Sequence, residues 1–177
     1  MTQEGRFDTL CIHAGQAPDP TNGALMTPVY FTSTYLQDGL GQHRGFDYAR
    51  VRNPTRDAVE ANLAALEGGA HGMAFGSGMA AVQAIFEQLS SGDHVVLGDN
   101  VYGGTFRLLD KVMTRFGLTY TQVDTGDLVA FKAALRPNTK LVMLETPTNA
   151  MLGITDIPGA RRVMTEAGCA AVLAVDN

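Results

Sequence analysis

The sequence predicts an α/β fold with a mostly parallel sheet and helices on both of its faces. Apolar runs of strand length alternate with amphipathic stretches over most of the 177 residues, and glycine or proline separates many of them. With 45% hydrophobic residues, the chain can bury a core. Because parallel neighbours need crossover connections, this alternation favours a sheet covered by helices on both sides.

Residues 1–55 are expected to form an extended N-terminal arm of loops, and residues 56–177 a major domain. The arm shows little helical periodicity and contains scattered prolines and glycines, among them Pro18, Pro20, Pro28 and Gly45.

The first helix is predicted to begin at Asn53-Pro54-Thr55, with Asn53 as N-cap and Pro54 as the first helical residue. Val59, Leu63 and Leu66 follow at helical spacing, and Gly68-Gly69 should end the helix.

Strands and helices then alternate to the last residue. The five strands are predicted at residues 72–75, 94–97, 118–123, 140–144 and 171–175. The helices between them are predicted at residues 79–89, 105–116, 128–135 and 158–167.

Charge and hydropathy exclude several function classes. Thirteen Lys and Arg against eighteen Asp and Glu give a net charge of −5, with no basic run, which argues against electrostatic binding to nucleic acid or to an anionic membrane. There is no apolar stretch of the roughly 18–20 residues that a membrane span needs, and no signal peptide at the start, so a cytoplasmic location is expected. The four histidines show no metal-ligand spacing and are expected at the surface or in loops.

Polar loops follow the predicted strands, at the sheet edge where ligands of α/β proteins bind. They contain Gly76-Ser77-Gly78-Met79, the segment 99–104, the segment 145–149 and Asp176-Asn177. Together they supply glycine-rich turns, an aromatic ring, an amide and carboxylates, which are the parts of a polar ligand site.

The Gly76–Met79 turn lies between a predicted strand and a helix, where backbone N–H groups and the helix dipole favour a phosphate. The same residues also fit a dinucleotide fingerprint, with Asp99 as its acidic partner. A tight turn without any ligand is the third interpretation.

Four other side chains are candidates for the same kind of ligand. Tyr48 and Arg50 lie on one side of an extended segment and offer donors to a phosphate. Tyr102 is a possible stacking platform for a flat heterocycle. Asp176 ends the most apolar strand, where it would keep the pyridine nitrogen of pyridoxal phosphate (PLP) protonated or be a simple strand-end residue.

Six segments in this order resemble the Cys/Met-metabolism family of PLP enzymes, which includes the cystathionine γ-synthases and γ-lyases. The segments are His13-Ala14-Gly15, Tyr48-Ala49-Arg50 with Asn53-Pro54-Thr55-Arg56, Ser77-Gly78-Met79-Ala80-Ala81, Tyr102-Gly103-Gly104-Thr105, Glu145-Thr146-Pro147-Thr148-Asn149 and Val175-Asp176-Asn177. The resemblance implies a fold-type I PLP transferase-like major domain that is incomplete at its C-terminus.

The resemblance also implies a role for each matching residue. Ser77, Gly78 and Met79 would bind the PLP phosphate, Tyr102 would stack on the ring, Asn149 would contact the ring hydroxyl, and Asp176 would pair with the ring nitrogen. Tyr48 and Arg50 would reach the phosphate in the neighbouring subunit of a homodimer or homotetramer.

Three departures from the family pattern stand out. Ala150 replaces the usual proline after Asn149, and Gly104 stands where methionine γ-lyases have a cysteine. The lysine that the family uses to hold PLP follows the Asp176 strand and is not in the chain, so the isolated chain is expected to have no turnover.

The resemblance implies a PLP-dependent transsulfuration enzyme, with γ-elimination or γ-replacement on sulfur amino acids or O-acylhomoserine. Within the family, O-acylhomoserine sulfhydrylase and methionine γ-lyase are alternatives. A non-catalytic short relative that binds or assembles with a partner is an alternative of another class.

Overall fold

The computed structural model describes residues 6–177, which form two compact units, residues 6–75 and 76–177. The predicted domain boundary after residue 55 stays a prediction. In the described part of the chain, no helix has both the length and the apolar character that crossing a membrane requires.

The first unit contains two helices, α1 (Phe7–His13) and α2 (Pro54–Leu66). The sequence predicted that the N-terminal arm consists of loops alone. This prediction is wrong, because α1 lies within the arm. The side chain of Asn62, on α2, ties the two helices together, because its Nδ2 donates to the Ala14 carbonyl oxygen at 2.8 Å. The predicted start of α2 is confirmed, since the Asn53 side chain accepts a hydrogen bond from the Thr55 N–H at 2.8 Å.

The strand predicted at residues 72–75 is absent. This segment lies along α2 instead, where the Ala74 N–H donates to Glu60 Oε1 at 2.8 Å. A Cβ on Gly72 would lie 2.2 Å from the Glu60 carbonyl oxygen, so only glycine fits this close approach. Met73 and Phe75 are exposed. The Glu60 side chain thus satisfies one of the backbone donors that a neighbouring strand would otherwise accept.

The second unit is a parallel sheet of four strands in the order β2-β1-β3-β4. The strands are β1 (His94–Gly98), β2 (Thr119–Val123), β3 (Thr139–Glu145) and β4 (Val172–Asp176). The chain moves outward from β1 to β2 and then crosses back to β3. The order therefore reverses between β1 and β3, which is the position where α/β sheets open a crevice for ligands.

Helices cover both faces of this sheet, so the predicted fold class is confirmed. Helix α3 (Gly78–Phe86) and α4 (Gly103–Arg107) lie on one face, and α5 (Leu128–Ala134) and α6 (Ile157–Glu166) lie on the other. A π-helical turn, Leu108–Val112, and a 3-10 turn, Met113–Phe116, continue α4.

The two central strands are buried on both faces. Along β3, Leu141 and Met143 pack with α3, while Val142 and Leu144 pack with α5 and α6. This period of two explains why β3 reads as a continuous apolar run in the sequence. The burial fixes the carboxyl ends of the strands in place, and these ends carry the candidate site.

His94 is fully buried at the start of β1, so the prediction of a surface position is wrong for this histidine. Its Nδ1 and Nε2 lie 2.9 Å from the hydroxyl oxygens of Thr139 and Thr121. Burial lowers the pKa of the His94 imidazole, and the charge of Arg136 lowers it further. The folded chain therefore favours the neutral ring.

Acidification is expected to destabilise the chain through His94. Below about pH 6.5 the unfolded chain takes up a proton that the folded chain resists. The free energy of unfolding should thus fall as the pH drops, by at most about 1.4 kcal/mol per pH unit from this group. Urea unfolding at pH 7.5 and 5.5 measures the effect, and His94→Gln should show a smaller loss than the unsubstituted chain. Exposed His43→Gln is the control; equal pH dependence in all three proteins would contradict the prediction.

Candidate functional site

One cavity of about 440 Å³ lies at the carboxyl ends of β1, β3 and β4. It is lined by Ser77, Gly78, Met79, Val82, Tyr102, Thr105, Glu145, Pro147, Asn149, Asp176 and Asn177. All the site residues that the sequence predicts in the second unit are among them. The cavity lies beside the β1/β3 reversal of strand order, where the fold predicts a ligand.

The N-terminus of α3 forms one wall of the cavity. Ser77 is the N-cap, and its Oγ accepts a hydrogen bond from the Ala80 N–H at 3.1 Å. In the described part of the chain, the N–H groups of Gly78 and Met79 have no acceptor. Two free amides, the Ser77 hydroxyl proton and the positive end of the helix dipole therefore face a possible anion.

Tyr102 follows β1 and directly precedes α4, and the residue is 45% exposed. A Cβ on Gly104 would lie 2.4 Å from Cε1 of Tyr102 and 2.8 Å from Sδ of Met79. The absence of a side chain at residue 104 thus permits the position of the Tyr102 ring. This is a structural reason for glycine where the sequence analysis noted a departure from methionine γ-lyases.

Replacing Gly104 by alanine is expected to displace the Tyr102 ring and to cost about 1 kcal/mol of stability through overpacking. Gly103→Ala is the matched control, because a Cβ there meets only the flexible end of Arg107, at 3.1 Å. Urea unfolding and the proton chemical shifts of the Tyr102 ring measure both effects. Equal stability and equal ring shifts in the two variants would contradict this steric explanation.

Glu145, the last residue of β3, joins two loops of the site. Its Oε2 accepts a hydrogen bond from the Tyr102 N–H, and its Oε1 accepts one from the Asn149 N–H, each at 2.5 Å. The side chain is almost fully buried. Both carboxylate oxygens are therefore satisfied by backbone donors.

Asp176 ends β4 opposite Glu145 in the strand register. Burial raises the pKa of the Asp176 carboxyl, and the negative charge of Glu145 raises it further. A cationic group placed beside Asp176 would relieve both effects. This end of the cavity therefore favours a positively charged or protonated partner.

The loop after β3 is held by its own threonines. The Thr148 hydroxyl accepts a hydrogen bond from the Gly153 N–H at 2.8 Å, and the Thr146 hydroxyl accepts one from the Thr155 N–H at 3.0 Å. These bonds close the loop on itself and leave the Asn149 side chain exposed at the cavity. The loop can therefore present an amide to a ligand without rearranging its backbone.

Tyr48 and Arg50 lie in the first unit. The prediction of an extended segment is wrong, because residues 49–51 form a turn in which the Val51 N–H donates to the Tyr48 carbonyl oxygen at 3.0 Å. The Arg50 guanidinium carbon is 4.9 Å from the centroid of the Tyr48 ring, and Arg50 is exposed. The predicted pairing of a phenol with a guanidinium is therefore present. Their predicted contact with a phosphate stays a prediction.

Five residues that line the cavity were assigned no individual role from the sequence, namely Val82, Thr105, Glu145, Pro147 and Asn177. Glu145 ends a buried strand as Asp176 does, so the rule that a carboxylate there must be paired or solvated could have found it. Thr105 is buried, and its hydroxyl has no hydrogen-bond partner in the described part of the chain. Thr105 is the last residue of the segment Tyr102-Gly103-Gly104-Thr105, but its burial depends on how α4 packs and does not show in the sequence.

The dinucleotide interpretation loses its structural support. It requires a strand before Gly76, and residues 72–75 form none. It also requires Asp99 in the same site, and Asp99 does not line the cavity.

The sequence profile of a family described as "Cys/Met metabolism PLP-dependent enzyme" matches residues 8–177. The chain is 52% identical over 171 residues to a cystathionine γ-synthase of Mycobacterium tuberculosis, covering 96% of this chain and 44% of that protein. It is 48% identical over 169 residues to a cystathionine γ-lyase of Bacillus subtilis, again covering 96% and 44%.

Solved structures give the same result. The crystal structure of metB from Corynebacterium glutamicum superposes with a TM-score of 0.92 at 47% identity, over 98% of this chain and 45% of that one. The chain thus spans about half the length of the curated relatives that it matches.

Proposed function

The chain belongs to the Cys/Met metabolism PLP-dependent enzymes, and from this we propose that it forms the phosphate- and ring-binding part of a PLP-dependent transsulfuration enzyme. The reaction would be γ-elimination or γ-replacement on a sulfur amino acid or an O-acylhomoserine. One observation carries the proposal: a single cavity gathers anion donors, an aromatic ring and a strand-end carboxylate.

The cavity residues fit PLP group by group. The unpaired N–H groups of Gly78 and Met79, together with the Ser77 hydroxyl, suit its phosphate. The exposed Tyr102 ring suits stacking on the pyridine, and the exposed Asn149 amide suits the ring hydroxyl. A Cβ on Gly78 would meet no atom within 4 Å, so the wall beside the proposed phosphate position is open.

Asp176 has the most direct chemical role in this proposal. PLP, when bound, acts as an electron sink for negative charge that develops on the substrate. Asp176 would hold a proton on the ring nitrogen through a charge-assisted hydrogen bond, which maintains this property. The residues that line the cavity would bind the cofactor and orient its ring.

Titration of the purified chain with PLP, pyridoxal and inorganic phosphate tests the binding proposal. Saturable one-to-one binding of PLP is expected, with shifts of the Gly78, Met79 and Tyr102 amide signals in ¹H–¹⁵N spectra. If PLP shifts none of these signals at millimolar concentration, the proposed site is wrong.

The enzyme-level proposal needs the rest of a family member. In a chimera, this chain would replace the aligned N-terminal portion of the Mycobacterium tuberculosis cystathionine γ-synthase. We expect the chimera to bind PLP and to catalyse γ-replacement on an O-acylhomoserine or γ-elimination from cystathionine. A folded chimera that binds PLP and catalyses neither reaction would instead favour the non-catalytic alternative.

We also propose that Tyr48 and Arg50 contact the cofactor phosphate of a neighbouring copy in a homodimer or homotetramer. The exposed Arg50 guanidinium beside the Tyr48 phenol supplies donors that suit a dianion. Light scattering of the chimera, with and without Arg50→Ala, tests this proposal. An oligomer that binds PLP equally well with and without Arg50 would contradict it.

A further inference from the structure

Glu145 has no cationic partner, although it is a nearly buried carboxylate. Among the described residues, no ion pair includes Glu145, and its two oxygens accept only the N–H groups of Tyr102 and Asn149. Ion-pairing to an arginine or lysine is the usual way to bury a carboxylate. For Glu145, two backbone N–H groups stabilise the carboxylate instead. The positive end of the α4 dipole also favours its negative charge.

The two amide groups belong to loops that are distant in sequence. Tyr102 is 43 residues before Glu145, in the loop after β1, whereas Asn149 is four residues after it, in the loop after β3. The carboxylate therefore bridges the crevice at the β1/β3 reversal. The loops carry the ring and the amide that the proposed function assigns to the cofactor.

Asp176 completes the arrangement, because it lies opposite Glu145 in the parallel register of β3 and β4. The Thr146 N–H also donates to the Asp176 carbonyl oxygen at 3.1 Å, which joins the end of β4 to the residue after Glu145. The three groups proposed to surround the pyridine ring are thus linked to a single strand end.

We propose that Glu145 is a positioning residue that sets the spacing of the Tyr102 ring and the Asn149 amide around the pyridine ring of PLP, without itself binding the phosphate. The inference rests on the proposed function for the identity of the ligand. The bridge itself is a property of the chain alone and can be tested without ligand.

The first test measures hydrogen exchange and ¹H–¹⁵N chemical shifts of the ligand-free chain. Glu145→Gln keeps the shape of the side chain but replaces one acceptor by an NH₂ donor, which cannot accept either N–H. The remaining carbonyl oxygen still accepts one N–H, so we expect both amide signals to shift and the amide that faces the NH₂ group, Tyr102 or Asn149, to exchange about tenfold faster, which corresponds to roughly 1.4 kcal/mol. Glu145 does not contact the Gly78 and Met79 amides, so their chemical shifts and exchange rates should not change. Unchanged Tyr102 and Asn149 amides would overturn the proposal.

Glu145→Asp is the second variant, for the case that Glu145→Gln does not fold. It keeps the charge but shortens the side chain by one methylene, so its oxygens should not reach both amides. The same two amides are expected to exchange faster. If both keep their protection in Glu145→Asp, the spacing does not depend on Glu145 and the proposal is wrong.

The second test separates positioning from a general loosening of the fold. Glu145→Gln is expected to weaken the binding of PLP and pyridoxal about tenfold while changing that of inorganic phosphate by less than twofold. Equal weakening of all three ligands would overturn the proposal, since it would show a general structural role. The hydrogen-exchange data test whether Glu145 bridges the two loops, and this test does not depend on PLP binding. The PLP titration of the unsubstituted chain separately tests the proposed function.

Discussion

Replacing Gly78 by proline is expected to weaken PLP binding by roughly ten- to a hundredfold while leaving α3 folded. Proline removes the N–H of Gly78, one of the two unpaired amides that face the proposed phosphate position. A hydrogen bond to a charged group contributes about 1.5–3 kcal/mol, which gives this range. The loss should appear for inorganic phosphate as well as for PLP.

The helix itself should tolerate this change. Gly78 is the first residue of α3, where proline fits because the N–H makes no intrahelical bond. Ser77 has φ −163° and ψ 159°, and an extended backbone is what the residue before a proline prefers.

Gly78→Ala is the matched control for the proline variant, because it fills the same open space and retains the N–H. Isothermal titration and urea unfolding of both variants measure affinity and stability. If the Gly78→Pro and Gly78→Ala variants bind PLP equally well, the Gly78 amide is not a phosphate ligand.

The Asp176→Asn substitution is expected to increase the stability of the ligand-free chain and to weaken cofactor binding. The ligand-free chain should gain stability at neutral pH, because burial and the Glu145 charge both disfavour the ionised Asp176 carboxyl. PLP and pyridoxal should bind at least about tenfold more weakly, since the asparagine offers no charge to a protonated ring nitrogen. Inorganic phosphate should bind as before.

The pH dependence of the stability gain has a definite sign. The pKa of Asp176 is raised in the folded chain above its unfolded value near 3.9, so on acidification the folded state takes up the proton first. The advantage of Asp176→Asn should therefore be largest at pH 7 and should shrink toward pH 4. Urea unfolding across this range measures it.

Asp99→Asn is the control for this variant. Asp99 is an exposed carboxylate just after β1 and does not line the cavity. The Asp99→Asn substitution should change neither the free energy of unfolding nor the affinity for PLP or pyridoxal. An Asp176→Asn chain that is less stable than the unsubstituted chain at pH 7, or that binds pyridoxal unchanged, would contradict the role assigned to Asp176.

The two ends of the cavity can thus be distinguished by ligand. Substitution at Gly78 should affect every ligand that carries a phosphate, whereas substitution at Asp176 should affect every ligand that carries the pyridine ring. The affinity for PLP should fall in both the Gly78→Pro and the Asp176→Asn variants. The affinity for pyridoxal should fall only in Asp176→Asn, and the affinity for inorganic phosphate only in Gly78→Pro. This pattern is what a single PLP site predicts and what two unrelated sites would not produce.

Local sequence patterns predicted four of the five strands to within one or two residues. Strands such as β1 and β3 are buried on both faces, so their apolar runs show in the sequence. Residues 72–75 are also an apolar run but form no strand, and the Ala74 N–H donates to Glu60 of α2 rather than to a neighbouring strand. A short apolar run does not reveal what lies beside it.

Helix α1 was missed for a related reason. It has only seven residues, which is too short a stretch for a helical period to identify it, and none of its residues is buried. Its C-terminal end is secured by Asn62, which is 48 residues away from Ala14 in the sequence. Such a contact can only be read from the folded chain.

The sequence by itself determined the fold class, the family and six of the residues that line the cavity in the second unit. Each of these depends on local signals: strand and helix periodicity, glycine turns, and short segments in a set order. The tertiary structure alone decided that Glu145 bridges the loops of Tyr102 and Asn149, that Gly104 makes room for a ring, and that His94 is buried. Those features depend on contacts between residues up to 45 positions apart, and the distance between such residues is set only when the strands pair and the helices pack.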